Sequence, residues 1–375
     1  MFISARSPLS FRLSLCNIGA MPLFSLARRF ARPIVLAALL ALCPPATAQS
    51  PSAEAGFAGY LQYLAARARA EGVSERTIAS TLPTLTYNPR VIQLDRSQPG
   101  GLPGTTPPAS YEPFEPYRRT HVDAARIEAG RRQYAAAHAH VAEIEQRFGV
   151  PVPVVLAIWG HESHYGAYTG DFDLARSLAT LAYEGRRREL FATEFIALLK
   201  MMDRGVPRWR LKGSWAGAFG NPQFLPSVYL RVAADGDGDG DGFVDIWTSR
   251  DDTIASIANY LRDAGWRRGE PWGVTVSVPP DLNRAALGTR MVAPRCPRVH
   301  GRHTGWKTMA EWRALGVVPR SGQRLSDETM ATLLEPDGQG RTAYLLTGNY
   351  RVILDYNCSN YYALTVGLLS DAIAS

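Results

Sequence analysis

Apolar residues recur at helical spacing over most of the chain and are interrupted at a few defined places. In residues 53–79 they follow one another every three or four positions, which is typical of one face of an α-helix. The pattern resumes at residues 122–148, after a stretch rich in Pro, Gly, Ser and Thr at residues 97–118 that we expect to be a long connection. Pro153 suits the first turn of a further helix. The apolar positions of the first segment are Phe57, Tyr60, Leu61, Leu64 and Ala65.

The C-terminal third of the chain is more mixed than residues 153–266, which continue in the helical pattern. β-Branched residues alternate with polar ones at residues 274–278, as in a strand, and a short helix is predicted at residues 309–315. We expect a strand at residues 350–354 and a closing helix at residues 361–373. No internal repeat is evident. The sequence therefore predicts a mainly α (α+β) protein with a small β-containing part.

The N-terminus has the features of a secretory signal peptide. Basic residues precede a short apolar run at residues 34–42, and an A-x-A site that ends at Ala48 follows, so we expect a signal at residues 1–48. The run is about half as long as a helix that crosses a bilayer, which disfavours a permanent anchor. Cys43 could carry a lipid, but bulky Leu42 stands where a lipoprotein signal has a small residue.

Removal of this leader changes the charge of the protein. The whole chain has 41 basic and 34 acidic residues, a net charge of +7. Residues 1–48 contain five arginines and no acid, so the mature chain has 36 basic residues against 34 acidic ones, or +2. A nucleic-acid partner is therefore not expected, because such proteins present a strongly basic surface.

Two of the four cysteines, Cys296 and Cys358, lie outside the leader. An oxidising compartment would let them pair. Two unpaired thiols are the alternative, because the sequence does not show whether their Cα atoms come close enough.

The segment that ends at Glu162 is a candidate for acid–base chemistry. Val154, Ile158 and Glu162 are four residues apart and share one face of a helix. A carboxyl that continues an apolar stripe faces a cleft or the core, and desolvation would raise its pKa so that it could donate a proton near neutral pH. Gly166 is expected to form the left-handed cap of this helix. The alternative is a glutamate that only caps or pairs at the helix end.

His161 and His164 flank the acid and could suggest a metal site. Their three-residue spacing, with no other evident ligand, disfavours this interpretation.

The Gly-rich segment at residues 213–226 combines small residues with aromatic ones and an amide. Its glycines allow the backbone to approach a ligand closely. Gln223 offers a donor and an acceptor, as sugar hydroxyl and acetamido groups require. A tight connection between helices with packed aromatic rings is the alternative.

Residues 235–245 carry aspartate at alternate positions and predict a structural calcium site. From Asp237 onwards the spacing matches a calcium loop, with Gly242 at the sixth position, Asp245 at the ninth and Thr248 in place of the final acid. Alternating carboxylates would repel one another without a cation, although a solvated acidic turn is the alternative. The ion would tie the Gly-rich segment to a helix that begins near Thr253. The expected ligands are Asp237, Asp239, Asp241, Phe243 through its backbone carbonyl, and Asp252 or its neighbour Asp251 from a longer loop.

In their order and spacing these motifs resemble the membrane-bound lytic transglycosylase B family, glycoside hydrolase family 103, from about residue 53 to the C-terminus. The motifs that carry the resemblance are Arg126-Ile127 with Gly130, Phe148-Gly149-Val150-Pro151, Glu162-Ser163-His164-Tyr165-Gly166, the segment from Gly213-Ser214 through Gln223-Phe224-Leu225-Pro226, the aspartate loop, Ala258-Asn259-Tyr260, Trp312 with Gly316-Val317, and Tyr356 through Ala363.

The resemblance implies a lysozyme-like helical core with an added helical domain, a small β-containing domain and an EF-hand-like calcium loop. No organic cofactor is implied. The expected divisions are an N-terminal helical region at 53–150, the catalytic core with the calcium loop at 151–273, the small mixed domain at 274–348, and a C-terminal strand and helix that close the cleft at 349–375.

The same resemblance implies cleavage of the β-1,4 bond between N-acetylmuramic acid and N-acetylglucosamine in peptidoglycan, with a 1,6-anhydromuramic acid product. Glu162 matches the single catalytic acid/base of the family. An internal C6 hydroxyl nucleophile is consistent with one carboxylate, because hydrolytic glycosidases usually need a second acid. The positions that match residues lining the sugar cleft are Ser214, Gln223, Tyr260, Tyr356 and Asn357.

Three alternatives stay open at this point. A hydrolytic muramidase could use Asp171 or Asp173 as its second acid. A non-catalytic, calcium-stabilised peptidoglycan-binding protein would need no acid at all, and a calcium-dependent adhesion module would leave the glutamate motif unexplained. For the favoured enzyme we expect a periplasmic monomer that acts on glycan strands, with cell-wall synthesis proteins as candidate partners.

The sequence departs from the family pattern at three places. His161 replaces a more commonly apolar or small residue and, if charged, could lower the pKa of Glu162. The aspartate loop is about two residues longer than in the family, which leaves the ligand assignment open. Cys358 occupies a variable position.

Overall fold

The computed structural model describes residues 51–98, 113–240, 242–288, 296–320 and 325–375. The predicted signal peptide at residues 1–48 lies outside these ranges, and so does Asp241, one of the predicted calcium ligands. Within them, no helix combines the length and apolar character that crossing a bilayer would require.

Helices dominate the described residues, and the predicted mainly α fold class is confirmed. The helices are α1 (Pro51–Ala70), α2 (Glu75–Thr81), α3 (Pro89–Arg96), α4 (Phe114–His121), α5 (Ala124–Ala136), α6 (His138–Phe148), α7 (Val152–Ser163), α8 (Leu174–Glu184), α9 (Arg188–Asp203), α10 (Pro226–Val232), α11 (Arg250–Asp263), α12 (Pro297–His300), α13 (Met309–Ala314), α14 (Gly348–Tyr356) and α15 (Asn360–Ala374).

Helix α7 lies within the helical body, and every residue from Val152 to Gly160 is buried. It packs against α5, α6, α11 and α15. Two glycines permit the close approach: a Cβ on Gly130 of α5 or on Gly160 of α7 would lie 2.6 Å from atoms of the Tyr165 side chain. The Tyr165 ring therefore fits between these helices only where side chains are absent.

The strands form two sheets. In one, β1 (Phe172–Asp173) pairs with β2 (Lys212–Gly213) and joins the segment after α7 to the Gly-rich segment. The second has the antiparallel order β4-β6-β7-β3-β5, with Val274 of β3 opposite Leu345 of β7. Its strands are β3 (Gly273–Ser277), β4 (Lys307–Thr308), β5 (Val318–Pro319), β6 (Met330–Leu334) and β7 (Ala343–Leu346).

The five-stranded sheet has an apolar core separate from that of the helices. Trp312 of α13 is fully buried there, and its indole N–H donates to the carbonyl of Ala331 at 3.0 Å. The predicted strand at 274–278 and short helix at 309–315 correspond to β3 and α13.

The strand predicted at residues 350–354 is wrong, because these residues lie within helix α14. Tyr350, Ile353 and Leu354 are buried at spacings of three and four, the helical period. Their aromatic and β-branched character suggested a strand, but the Thr347 hydroxyl accepts a hydrogen bond from Asn349 N–H at 3.2 Å and starts a helix instead.

Part of the predicted connection at residues 97–118 is also helical, since α4 begins at Phe114. Its first free N–H groups are capped from a distant part of the chain. The Asp337 carboxylate, between β6 and β7, accepts hydrogen bonds from the backbone N–H groups of Phe114 and Glu115. A cap supplied by a residue so distant in sequence leaves no local signal at residues 97–118.

Two predicted helix boundaries shift. The helix expected to begin near Thr253 begins at Arg250, where the Ser249 hydroxyl accepts from Asp252 N–H at 3.2 Å. At the end of α7 the left-handed cap is His164, with a φ of 52°, rather than Gly166.

Cys296 and Cys358 form a disulfide, with their Cα atoms 5.5 Å apart. Cys358 lies in residues 357–359, which connect α14 to α15 and are called the hinge below. Cys296 precedes α12. The disulfide thus attaches the part of the chain that bears α12 to the hinge.

Candidate active site

Glu162 is the penultimate residue of α7, at a point where the chain turns sharply. His164, Tyr165 and Gly166 all have positive φ, so the backbone leaves the helix in a left-handed conformation. The Ser163 hydroxyl donates to the Asn221 carbonyl at 2.7 Å and accepts from Gly166 N–H at 3.1 Å. These bonds fix the end of α7 against the Gly-rich segment and hold Glu162 in place.

Glu162 is partly buried, and its carboxyl accepts a hydrogen bond from Tyr362. Burial raises its pKa to about 7, and a hydrogen bond from Tyr362 opposes part of that increase. The Tyr362 hydroxyl donates to Glu162 Oε1 at 2.7 Å. The carboxyl can therefore exist in both protonation states near neutral pH, as a residue that first donates and then accepts a proton requires.

His161 is neutral and does not depress the pKa of Glu162. Burial lowers the pKa of His161 to about 3, and the charges of Arg126 and His121 act in the same direction. The rings of His161 and His121 are stacked with centroids 5.9 Å apart, and His161 also lies 5.4 Å from the ring of Tyr362. A charged His161, which the sequence leaves open, is therefore not expected at neutral pH.

Tyr356 and Tyr260 stand side by side near Glu162. Tyr356 is fully buried, and the charge of Glu162 contributes to raising its pKa well above the ordinary value. Its hydroxyl donates to the Pro222 carbonyl at 2.6 Å, whereas that of Tyr260 donates to the Asp355 carbonyl at 2.9 Å. The two ring centroids are 4.6 Å apart. The two rings thus pack against each other and form what we call the tyrosine wall, and both hydroxyl groups are hydrogen-bonded to backbone carbonyls.

Gln223 lies beside this wall, in a conformation that its segment enforces. Its φ is 52°, and its side-chain amide donates to the carbonyls of Gly220 at 2.9 Å and Thr169 at 3.2 Å. Because it follows Pro222, which binds Tyr356, the structure brings Gln223 close to the tyrosine wall.

Ser214 and Asn357 lie in the same region, and each makes a hydrogen bond within its own segment. The Ser214 hydroxyl accepts a hydrogen bond from Ala218 N–H at 3.0 Å and closes the turn of the Gly-rich segment. Asn357 is buried in the hinge, where its N–H donates to the Ile353 carbonyl at 3.3 Å.

Tyr362 and α4 were missed as parts of the site. From the sequence, Tyr362 is identified only as part of the C-terminal motif and is assigned no role, although its hydroxyl donates a hydrogen bond to Glu162. Burial raises the pKa of Tyr117 of α4 to about 12, with a smaller contribution from the charge of Glu162, and its ring stacks on His121 at 3.8 Å. No local signal identifies α4 as part of the site, because its cap, Asp337, is distant in the sequence.

The two aspartates considered as a second acid differ in their surroundings. Asp173 caps α8, accepting from Arg176 N–H at 2.9 Å, and pairs with Arg208 at 3.0 Å. Asp171 is exposed. Asp173 is thus held in a structural role.

The aspartate loop brings together two of the predicted ligands, Asp237 and Asp239, and one further carboxylate. Oxygens of Asp235, Asp237 and Asp239 lie within 4.8 Å of one another. Asp235 was not among the predicted ligands, and it joins the cluster because the chain turns through Gly238, whose φ is 68°. Asp241 cannot be assessed, because it is outside the described residues.

Asp252, predicted as a ligand, accepts hydrogen bonds from backbone N–H groups. One of its oxygens accepts from Gly236 at 2.8 Å and the other from Asp245 at 2.6 Å, so this buried carboxylate ties the two ends of the loop to α11. The Phe243 ring stacks on Trp247, with centroids 6.0 Å apart. Asp245, at the predicted ninth position, pairs with Arg210 at 2.7 Å.

Comparison with known proteins places this geometry in a family. Residues 56–371 match the family described as the transglycosylase SLT domain. The chain is 33% identical over 237 residues to membrane-bound lytic murein transglycosylase B of Escherichia coli strain K12. The match covers 61% of this chain and 58% of that relative, less than two thirds of its length.

Solved structures resemble the whole described fold. SltB3 of Pseudomonas aeruginosa, in complex with NAG-NAM-pentapeptide and with NAG-anhNAM-pentapeptide, shares 35% identity and a TM-score of 0.74, over 85% of this chain and 80% of that one. The Escherichia coli lytic transglycosylase Slt35 in complex with calcium shares 25% identity and a TM-score of 0.66, over 86% and 93% of the two chains. The chain therefore belongs to the transglycosylase SLT domain family, with a lysozyme-like fold, and the predicted family resemblance is confirmed.

Proposed function

We propose that this protein is a lytic transglycosylase that cleaves the β-1,4 bond between N-acetylmuramic acid and N-acetylglucosamine in peptidoglycan and forms 1,6-anhydromuramic acid, with Glu162 as its single acid/base. The observation that carries the proposal is the Glu162 carboxyl at the end of α7, with a pKa raised to about 7 and a hydrogen bond from Tyr362. The complexes of SltB3 with NAG-NAM-pentapeptide and NAG-anhNAM-pentapeptide support this substrate class and product.

The first step needs a protonated Glu162. With a pKa of about 7, roughly half of the molecules carry this proton at neutral pH. The carboxyl donates it to the glycosidic oxygen as the bond to the anomeric carbon breaks. The N-acetylglucosamine fragment then leaves as an alcohol.

The second step uses the carboxylate that remains. Glu162 accepts the proton of the muramic C6 hydroxyl as that oxygen bonds to the anomeric carbon. The hydrogen bond from Tyr362 stabilises this anionic state. The nucleophile belongs to the sugar, so its effective concentration is high and no second enzyme carboxylate is needed to hold a water molecule. Asp173 fits this scheme, because its cap and ion pair leave it in a structural role.

The predicted cleft residues receive more specific roles. We propose that Tyr260 and Tyr356 support the sugar cleft from behind, because both rings are buried and both hydroxyl groups are bonded to backbone carbonyls. Gln223 would contact the substrate's polar groups, and Ser214 and Asn357 would shape the backbone around it.

We further propose a structural Ca²⁺ ion in the aspartate loop. The clustered oxygens of Asp235, Asp237 and Asp239 are the hard ligands that Ca²⁺ prefers, and Slt35 has been solved in complex with calcium. Asp252 would hold the loop closed from inside rather than bind the ion directly. The ion would neutralise the cluster without taking part in the reaction.

Export by the predicted signal peptide and a periplasmic location are part of this proposal, as are peptidoglycan glycan strands as the partner, with no nucleic acid. A monomer that cooperates with cell-wall synthesis proteins is the working hypothesis for its assembly.

Mass spectrometry of digested peptidoglycan tests the reaction type. Anhydro ends are one water lighter than the reducing ends that a hydrolytic muramidase would leave, so the expected product is the lighter species. Reducing ends alone would replace the proposed reaction with hydrolysis, for which exposed Asp171 is the remaining candidate acid. Absence of any cleavage, with binding retained, would point to a non-catalytic peptidoglycan-binding protein.

A further inference from the structure

We propose that the Cys296–Cys358 disulfide is a positioning element of the active site, which holds the hinge so that Tyr356 and Tyr362 keep their places beside Glu162. Its effect on turnover rests on the function proposed above, whereas its effect on the hinge does not. The inference is specific to this chain, because it depends on the two cysteines that the structure joins.

The hinge lies between Tyr356 and Tyr362, which are both near Glu162. On one side Tyr356 ends α14, buried against the Pro222 carbonyl at 2.6 Å. On the other side Tyr362, in the first turn of α15, donates to Glu162 Oε1 at 2.7 Å. Ser359 of the hinge caps α15 by accepting from Tyr362 N–H at 3.3 Å. A shift of the hinge therefore moves the backbone that carries the Tyr362 hydroxyl.

The segment that begins at Cys296 supports the hinge from outside the helical body. Beyond the disulfide, the Asn360 side-chain amide donates to the Val299 carbonyl at 3.1 Å. The side-chain Oδ1 of Asn360 lies 2.8 Å from His303 Nε2, and His303 Nδ1 lies 3.1 Å from the Thr332 hydroxyl of β6. These contacts connect the hinge region to the five-stranded sheet.

The disulfide and the hydrogen bonds act at different points. The hydrogen bonds fix Asn360, which is already inside α15, whereas the disulfide fixes Cys358 within the hinge itself. Cys296 and Cys358 are both partly exposed, so a reductant can reach them. Removal of the bond leaves the three-residue hinge attached through its helices, and displacements of about 1 Å at a catalytic group can cost roughly 100-fold in rate.

The test compares the wild type with the double variant Cys296→Ser/Cys358→Ser. Hydrogen–deuterium exchange of residues 353–364 reports the order of the hinge without reference to activity. Peptidoglycan digestion well below the unfolding temperature gives kcat and KM over a range of pH. Val91→Ala serves as a matched control, because Val91 is fully buried in α3, away from the hinge, and its truncation lowers stability alone.

We expect the double variant to exchange faster in the hinge and to lose roughly 10- to 100-fold in kcat, with a smaller change in KM. Its alkaline limb should move to higher pH, because a weaker Tyr362 hydrogen bond no longer lowers the pKa of Glu162. A reductant should reproduce these changes in the wild type and have no effect on the double variant.

The inference is overturned if hinge exchange and kcat in the double variant match those of Val91→Ala, which would leave the disulfide a role in stability alone. A wild type without activity would instead contradict the proposed function. In that case faster hinge exchange in the double variant still supports the positioning role, and unchanged exchange still overturns it.

Discussion

The end of α7 and the aspartate loop are fixed to the same Gly-rich segment, but they hold their carboxyl groups in opposite ways. Asn221 links them: its carbonyl accepts from Ser163 at 2.7 Å, its N–H donates to the Ile246 carbonyl at 2.8 Å, and its side chain donates to Thr253 at 3.0 Å. At the end of α7 a single, partly buried Glu162 accepts a hydrogen bond from Tyr362. In the aspartate loop three aspartates lie at or near the surface, within 4.8 Å of one another.

The difference shows two uses of a carboxyl group. Burial disfavours the charged form of an isolated carboxyl, so Glu162 can store a proton at neutral pH. Several carboxylates in contact with water remain available for a cation, which relieves their mutual repulsion. One fold can thus contain both a carboxyl suited to donate a proton and a carboxylate cluster suited to bind a cation, which differ in their solvation and number.

The largest expected effect comes from removing the proton of Glu162. Glu162→Gln should lower the rate of peptidoglycan cleavage roughly 1,000-fold, equivalent to about 4 kcal/mol, because an amide can neither donate nor accept this proton. The measurement is release of soluble muropeptides, with binding to intact sacculi unchanged. Glu194→Gln is the matched control, since burial also raises the pKa of Glu194, but that side chain caps α10 through Ser227. Full activity in Glu162→Gln would contradict the assignment.

The same variant should raise the stability of the protein at alkaline pH, although it lowers the rate of cleavage. The folded-state pKa of Glu162 is raised above its ordinary value of 4.5, to about 7. Stability from the neutral carboxyl is therefore complete below pH 4.5 and is lost as pH rises through 7. Glu162→Gln stays neutral, so its thermal midpoint should exceed that of the wild type at pH 8 and equal it at pH 4. A lower midpoint at pH 8 would mean that the charged carboxylate is well solvated.

Removal of the proposed cation tests the aspartate loop. Calcium at a hundredfold excess over its Kd should raise the free energy of unfolding by about 3 kcal/mol, and a chelator should abolish the gain. Asp237→Asn should weaken this response, since Asp237 belongs to the cluster. Comparison of Asp235→Asn with Asp252→Asn then identifies the ligand set. If Asp252→Asn weakens calcium binding more than Asp235→Asn does, the ligands follow the sequence prediction and not the geometry of the loop.

The sequence predicted each of these regions where its signal was local. The four-residue spacing that places Glu162 on an apolar face, the alternating aspartates and the strand at β3 all depend on neighbours in the chain. Failures occurred where distant contacts decide the structure. Helix α4 is capped by Asp337, and the participation of Tyr362 depends on α15 packing against α7. No pattern within either segment encodes such pairings.

The proposed calcium ligands show the same limit within one motif. The spacing from Asp237 fits a calcium loop, but so does the alternating spacing that starts two residues earlier at Asp235. A repeat of Asp-Gly pairs cannot specify its own register. The buried Asp252 holds the two ends of the loop through hydrogen bonds from Gly236 and Asp245. These contacts depend on the position of α11, which the loop sequence does not contain. The predicted domain divisions stay predictions, although the small sheet does have its own apolar core.

A smaller effect is expected from the hydroxyl that bonds Glu162. Tyr362→Phe should reduce kcat roughly tenfold, about 1.4 kcal/mol, because the carboxylate formed in the first step loses a charge-assisted hydrogen bond. The alkaline limb of the pH profile should move to higher pH, since this bond lowers the pKa of Glu162. Tyr350→Phe is a control with a buried hydroxyl that bonds Asn360 instead. A rate loss without any change in the pH profile would show that Tyr362 only packs.

The smallest effect is expected at His161, the neighbour of Glu162. The folded-state pKa of His161 is lowered to about 3, so the ring is neutral from pH 5 upwards and its charge cannot influence the reaction there. His161→Phe should therefore keep kcat within about twofold and leave the alkaline limb in place, because aromatic packing beside Tyr362 is retained.

The Nε2 atom of His161 is buried without a hydrogen-bond partner. His161→Phe should therefore also be more stable than the wild type at pH 5, where the unfolded histidine takes up a proton and the folded one does not. His303→Phe is the contrasting control, since burial lowers the pKa of His303 to about 4 but its two nitrogens bond Asn360 and Thr332, and here the substitution should destabilise the protein at every pH. An alkaline limb that moves in His161→Phe would show that His161 does act on Glu162 electrostatically, and the site at the end of α7 would then contain a second charged group.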